Sequence, residues 1–191
     1  MRSLSAIATF LLFRLAYSLP GFPKLDIARR DECSAPVRGT CTFYLDCLED
    51  RNYDCGPKGY PLGYGQYYCE KFTAAKSQLS DPGKKWVSDT MLCLQTALIP
   101  EGTAAPNAVH GCDALQSKAV STHAKCYVDS GLCQLPPTDW WVIVQTVGFW
   151  ELFAGFQIIE QTLIAGWDCI SFFVWLNEEA SCYDFQPFPC V

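Results

Sequence analysis

Twelve cysteines in a chain of 191 residues constrain the fold more than any other feature. An even number of cysteines at this density is typical of extracellular domains held together by disulfides. A zinc site is disfavoured because the chain has no Cys-x-x-Cys pair and its only histidines are His110 and His123. We therefore expect structural cysteines, and we assign no metal ligand and no cofactor.

The first 18 residues, MRSLSAIATFLLFRLAYS, have the pattern of a secretory signal peptide. Arg2 precedes an apolar run over residues 4–13, and Ala16-Tyr17-Ser18 places small residues at the positions that a signal peptidase reads. We expect cleavage after Ser18 and a secreted, extracellular protein. Residues 19–32 are then a flexible segment, in which Arg29-Arg30 either ends a propeptide or is a solvated pair of charges.

The distribution of charge argues against a nucleic-acid partner and against a membrane span. The formal charge is -6, and loss of residues 1–18 removes two arginines and no acidic residue, which gives -8. An acidic protein offers no electrostatic surface for nucleic acid. In the apolar last third, Glu151, Glu160 and Asp168 interrupt every stretch well before the ~20 residues that a transmembrane span needs.

Apolar periodicity predicts an all-α domain, compact and disulfide-bonded, with about six helices over residues 33–176. The helical stripes begin near Thr40, Gln66, Asp81, Cys112 and Thr138, and the last stretch contains two helices. Thr40, Asp81 and Thr138 are the expected N-caps. Glycines and prolines predict loops over residues 56–65 and 100–107. Residues 177–191 are a C-terminal tail with two cysteines.

Five of the six tryptophans lie between residues 140 and 175. Aromatic residues at helical spacing usually belong to the core. The alternative is a surface that contacts a partner or a second copy of the chain, with Trp140, Trp141 and Trp150 as anchors.

The order and spacing of the first ten cysteines resemble those of the stanniocalcin family. The resemblance covers residues 33–169 and includes Cys69-x-x-Phe72, Gly83-Lys84-Lys85-Trp86-Val87 and Cys93-Leu94. The separations are 24 residues from Cys69 to Cys93, 14 from Cys112 to Cys126 and 7 from Cys126 to Cys133, and they fit the family.

The resemblance implies a disulfide pairing and a function. By position in the family order, the implied pairs are Cys33 with Cys47, Cys41 with Cys69, Cys55 with Cys112, Cys93 with Cys126, and Cys133 with Cys169. Stanniocalcins are secreted, helical, disulfide-linked homodimers that act as hormone-like signals or bind other extracellular proteins, and they are not enzymes. We therefore expect an extracellular protein partner and no catalysis.

The chain departs from the stanniocalcin pattern in three respects. It has no Asn-x-Ser/Thr sequon, so we do not expect N-glycosylation. The family joins its subunits through one late cysteine, whereas Cys182 and Cys190 both remain here; they either close an internal loop, or one of them links two copies into a homodimer. The helices after Cys133 are also more apolar than is usual for the family.

Two other functions remain open. His123, together with the glycine-rich residues 56–65, resembles the helix-borne general base and calcium loop of secreted phospholipases. In those enzymes an Asp that ligates calcium follows the His, whereas Ala124 stands there in this chain. The other function is structural, with the apolar C-terminal helices adsorbing to an interface.

Overall fold

The computed structural model describes residues 32–148 together with residues 169, 172, 174 and 175. The described residues contain no strand and belong to a compact unit that begins at Glu32. The prediction of a compact, disulfide-bonded all-α domain is therefore confirmed. The signal peptide, the Arg29-Arg30 pair, Trp150, Cys182 and Cys190 lie outside the described residues.

Helices account for most of the described chain. In order they are α1 (Tyr44–Tyr53), α2 (Tyr60–Gln66), α3 (Tyr67–Ala75), α4 (Asp81–Ala97), α5 (Ile99–Gly102), α6 (Cys112–Asp129) and α7 (Pro137–Val147). Short 3-10 turns at Lys76–Gln78 and Leu132–Gln134 follow α3 and precede α7. Helices α1 and α2 are of the wider π type: at the end of α1 the Asp54 amide donates to the carbonyl of Glu49, five residues earlier.

The predicted loop over residues 56–65 is wrong in its second half, where α2 is helical. Pro61 stands in the first turn of α2, where a helix has no need of its missing N–H. Gly65 is required by packing, because a Cβ atom there would lie 2.4 Å from Cδ1 of Tyr44. This glycine therefore marks the close approach of α1 and α2, and not a turn.

The predicted N-caps need correction. Ser80, and not Asp81, caps α4 by accepting a hydrogen bond from the Gly83 amide at 3.3 Å. Helix α7 begins at Pro137 without a side-chain cap from Thr138, because Pro137 is already suited to a first helical position. Pro100 likewise fits the first turn of the short α5, which begins at Ile99 and makes the start of the predicted loop over residues 100–107 helical.

Helices α1, α3, α4, α6 and α7 share one hydrophobic core. Its largest fully buried apolar side chains are those of Leu48, Leu98, Leu115, Leu132 and Phe172. None of the described helices is long and apolar enough to cross a membrane.

Trp140 belongs to this core. It is 4% exposed, and its indole N–H donates to the carbonyl of Leu132 at 2.8 Å. Its ring lies 5.2 Å from that of Phe172 and 5.6 Å from that of Trp175. Burial removes Trp140 from any patch that contacts a partner, whereas Trp141 is half-buried.

Five disulfides fasten the described elements to one another. They join Cys33 to Cys47, Cys41 to Cys69, Cys55 to Cys112, Cys93 to Cys126, and Cys133 to Cys169. The pairs are the same five that the resemblance to stanniocalcins implies. The Cys93–Cys126 bridge ties α4 to α6, and the Cys55–Cys112 bridge ties the segment after α1 to the start of α6.

Candidate functional site

His123 lies in the interior of the domain, surrounded by tyrosine rings. Its side chain is on α6 and only 7% exposed. The rings of Tyr64 and Tyr127 each lie 5.6 Å from the imidazole, and the Tyr60 hydroxyl is 3.4 Å from Nε2. We call Tyr60, Tyr64, His123 and Tyr127 the tyrosine–histidine cluster.

Two helices contribute to the cluster, and each contributes two residues that are four positions apart in the sequence. Tyr60 and Tyr64 are four residues apart on α2, with their rings stacked at 5.7 Å. His123 and Tyr127 are four residues apart on α6. The structure therefore does bring His123 against residues 60–65 of the glycine-rich segment, the juxtaposition that the phospholipase-like hypothesis requires.

The space enclosed beside the cluster is small. A cavity of about 40 Å³ is bounded by the cluster and by apolar side chains of α3 and α4, among them Phe72, Trp86 and Met91. One water molecule needs roughly 10–15 Å³ of such space, so the cavity has room for about three. It does not accommodate a lipid chain.

Burial favours the neutral forms of Tyr60, His123 and Tyr127. It lowers the pKa of His123 to about 4, because the imidazolium would lose its hydration. Burial, followed by the neighbouring phenols, raises the pKa of Tyr60 and of Tyr127 well above 10. At neutral pH the side chains of Tyr60, His123 and Tyr127 are therefore uncharged.

The described surroundings of His123 are poor in the groups that general-base catalysis needs. No Asp or Glu is among the described residues that line the cavity, and no carboxylate in the described part of the chain is hydrogen-bonded to the imidazole. A base with a pKa of about 4 accepts a proton weakly at neutral pH. In the described part of the chain, no group of three or more His, Cys, Asp or Glu side chains is placed to hold a metal ion.

Sequence reasoning singled out His123 but missed the tyrosines around it. The signal was present, because Tyr60, Tyr64 and Tyr68 are spaced four residues apart, as are His123 and Tyr127. The glycines between these tyrosines concealed the pattern, since they predict a loop.

No protein-family model matches this chain, and comparison with curated proteins and with solved structures gives no match.

Proposed function

We propose that this chain is a secreted, non-catalytic protein similar to stanniocalcins, which acts by binding an extracellular protein or as a hormone-like signal. The observation that carries the proposal is the disulfide pairing, which agrees with the stanniocalcin order at all five bridges. Even eight cysteines allow 105 pairings, so agreement among ten is a specific likeness.

The environment of His123 supports the non-catalytic part of the proposal. A buried, neutral imidazole that is packed between phenol rings stabilises the junction of α2 and α6. It has neither the carboxylate nor the accessible space of a hydrolytic site among the described residues. We therefore assign the tyrosine–histidine cluster a structural role.

The binding function is tested with the full chain produced in a secretory host. The protein is recovered from the medium and fluorescently labelled. It is then added to intact cells of the species that naturally encodes it. We expect saturable binding that excess unlabelled protein displaces and that prior trypsin treatment of the cells abolishes. Binding that resists trypsin and also occurs on protein-free lipid vesicles contradicts the proposal and favours the surface-active alternative.

The phospholipase-like alternative has its own test. The secreted protein and a His123→Gln variant are incubated with phospholipid vesicles and calcium, and released fatty acid is measured. We expect both proteins to give the background rate. Activity of the unmodified protein that the His123→Gln variant lacks overturns the non-catalytic proposal.

Secretion and dimerisation form part of the same proposal. We infer removal of residues 1–18, and either an internal Cys182–Cys190 bridge or a homodimer linked through one of these cysteines. N-terminal sequencing distinguishes a start at Leu19 from a start at Asp31, which would indicate propeptide removal after Arg30. The mass of the intact protein before reduction distinguishes a monomer from a linked dimer.

A further inference from the structure

Four cationic side chains gather along the first half of α4, although they come from three segments of the chain. Lys84 and Lys85 lie on α4 itself, Lys76 lies in the 3-10 turn that precedes it, and Arg38 lies in the segment before α1. The Lys76 Nζ donates to the hydroxyl of Ser88, one turn beyond Lys84, at 2.6 Å. We call Arg38, Lys76, Lys84 and Lys85 the basic face.

A single carboxylate holds two of these cations side by side. Asp89 accepts hydrogen bonds from the Arg38 guanidinium and, at 2.5 Å, from the Lys85 ammonium. The Asp89 side chain is 19% exposed, whereas those of Arg38 and Lys85 are 55% and 76% exposed. A guanidinium and an ammonium each carry more N–H donors than this carboxylate uses, so both cations keep donors for an anion in solution.

Two other carboxylates lie close to the basic face. Asp81 contacts the Lys84 ammonium at 3.0 Å, but the Asp81 side chain is 95% exposed. An exposed ion pair of this kind contributes little, so an incoming anion displaces it. Asp139 is buried and accepts its hydrogen bonds from Ser80. Against the accessible carboxylates of Asp81 and Asp89, the four cations of the basic face leave a local formal charge of +2.

The charge of the chain as a whole has the opposite sign. The formal charge is -8 once residues 1–18 are removed. Helix α1 and the residue after it carry one cation, Arg51, against the four carboxylates of Asp46, Glu49, Asp50 and Asp54. An uneven distribution of this kind repels a polyanion from acidic surfaces and directs it to the basic face.

We propose that the basic face binds a sulfated polysaccharide of the extracellular matrix or the cell surface. Sulfate groups repeat along such a polymer, so several of them pair with the four cations at once and release counterions. Arginine binds oxyanions of this shape through two parallel hydrogen bonds, and lysine binds them as a point charge. The proposal goes beyond the proposed function, because it rests on secretion alone and not on the protein partner.

The test uses the full secreted chain and immobilised heparin as the probe. We expect retention at about 0.15 M salt, the physiological ionic strength, and elution at higher salt. A sulfopropyl resin, which carries sulfonate groups without the polysaccharide, is the control, and the acidic protein should pass through it. Passage through the heparin column, or elution from both resins at the same salt concentration, would overturn the proposal.

Two double variants locate the binding. Lys84→Gln with Lys85→Gln removes half of the basic face, and we expect about tenfold weaker heparin binding and a slope of log Kd against log salt that is smaller by about two. Lys118→Gln with Lys125→Gln removes two exposed cations from α6, one of them also paired with a carboxylate, and should bind as the unmodified protein does. Equal losses in the two double variants would show attraction to overall charge and contradict the proposal.

Asp81→Asn tests the same surface by a gain of binding. The substitution removes an exposed carboxylate beside Lys84 and raises the local charge, so we expect several-fold tighter heparin binding. This variant also decides the question if the Lys84 and Lys85 double variant fails to fold. Unchanged or weaker binding by an Asp81→Asn protein with the circular dichroism spectrum of the unmodified protein contradicts the proposal.

Competitors in solution identify the class of anion. We expect heparan sulfate to displace the protein from heparin, whereas desulfated heparin, or inorganic sulfate at the sulfate concentration of the polysaccharide, should leave it bound. Displacement by inorganic sulfate would show a site for the free ion. Single-stranded DNA that competes as well as heparan sulfate at equal charge would show a general polyanion surface, and tighter binding to phosphatidylserine vesicles would show a membrane surface. Each of these three results overturns the proposal.

Heparin binding is measured with purified components and is therefore independent of the cell-binding experiment. A protein that ignores heparin but binds cells in a trypsin-sensitive manner contradicts this proposal and leaves the proposed function standing. A protein that binds heparin through the basic face but shows no trypsin-sensitive binding to cells contradicts the proposed function alone.

Discussion

The carboxylate of Asp139 accepts two hydrogen bonds from Ser80, one from its backbone amide at 2.9 Å and one from its hydroxyl at 2.5 Å. Ser80 caps α4, and Asp139 lies in the first turn of α7 with 1% exposure. A single buried carboxylate therefore fixes the N-termini of two helices against each other, and it is favourably placed near the positive ends of their dipoles.

We expect Asp139→Ala to lower the free energy of unfolding by about 2–3 kcal/mol, because it leaves the half-buried amide and hydroxyl of Ser80 without their buried acceptor. Urea unfolding followed by circular dichroism measures the change. The neighbouring Thr138 is exposed, so Thr138→Ala should stay within about 0.5 kcal/mol of the unmodified protein. Similar stabilities for the two variants would show that the Ser80 contact contributes little.

His123 should make the stability of the domain dependent on pH. Its pKa is about 4 in the folded protein, whereas the unfolded chain has the ordinary histidine pKa of 6.5. Above pH 6.5 neither state holds the proton, and stability is complete. As the pH falls from 6.5 toward 4, the unfolded chain binds a proton that the folded protein excludes, so stability decreases by about 3 kcal/mol at most.

Two histidine variants separate the pH dependence due to His123 from the titration of the acidic residues. Unfolding free energies measured at pH 7 and at pH 4.5 should differ less in His123→Gln than in the unmodified protein. His110→Gln removes the exposed second histidine and should keep the full difference. If His123→Gln retains the full difference too, the imidazole is protonated in the folded state at pH 4.5 and is therefore hydrated there, which contradicts the proposed effect of burial.

Gly65 should tolerate no side chain. Gly65→Ala places a Cβ atom 2.4 Å from the Tyr44 ring, which must then shift within a packed interior. We expect a loss of about 1–3 kcal/mol in unfolding free energy. In a Tyr44→Leu background the same substitution should be less destabilising. An equal loss in both backgrounds would place the strain in the backbone of α2 and not at the Tyr44 contact.

The two neighbouring tryptophans of α7 should respond differently to truncation. Trp140→Ala empties a core site and removes one of the two hydrogen bonds that the Leu132 carbonyl accepts, so we expect a loss of about 3–5 kcal/mol and poor secretion. Trp141 is half-buried, and Trp141→Ala should cost less than half as much. Thermal unfolding and the yield in the medium measure both. Equal yields of the two variants would mean that Trp140 is not a core residue.

Sequence reasoning predicted the helices well wherever apolar periodicity continued over several turns. The stripe that contains Trp86 lies on α4, and the stripe from Cys112 to Cys126 lies on α6. The sequence-based prediction failed at α2, because Pro61 and Gly65 are normally helix breakers. In the folded protein Tyr44 packs against Gly65, and this contact makes glycine favourable at that helical position. Local propensity contains no information about a ring that lies far away in the sequence.

The candidate sites were harder to predict than the fold. His123 and the glycine-rich segment were associated correctly, but the burial that lowers the pKa of the imidazole depends on tyrosines from two helices. The burial of Glu101 could not be predicted from the sequence, because a Glu in a loop-like sequence is normally solvated. Its burial results from α5, which carries it against α1, where Asn52 holds the carbonyls of Glu101 and Gly102.

The disulfide connectivity of the secreted protein is the most direct test of the account. Unreduced and reduced protease digests, compared by mass spectrometry, assign the pairs. We expect the pairs Cys33–Cys47, Cys41–Cys69, Cys55–Cys112, Cys93–Cys126 and Cys133–Cys169. A different pairing among these ten cysteines would contradict both the stanniocalcin-like skeleton and the packing of the helices that it fastens together.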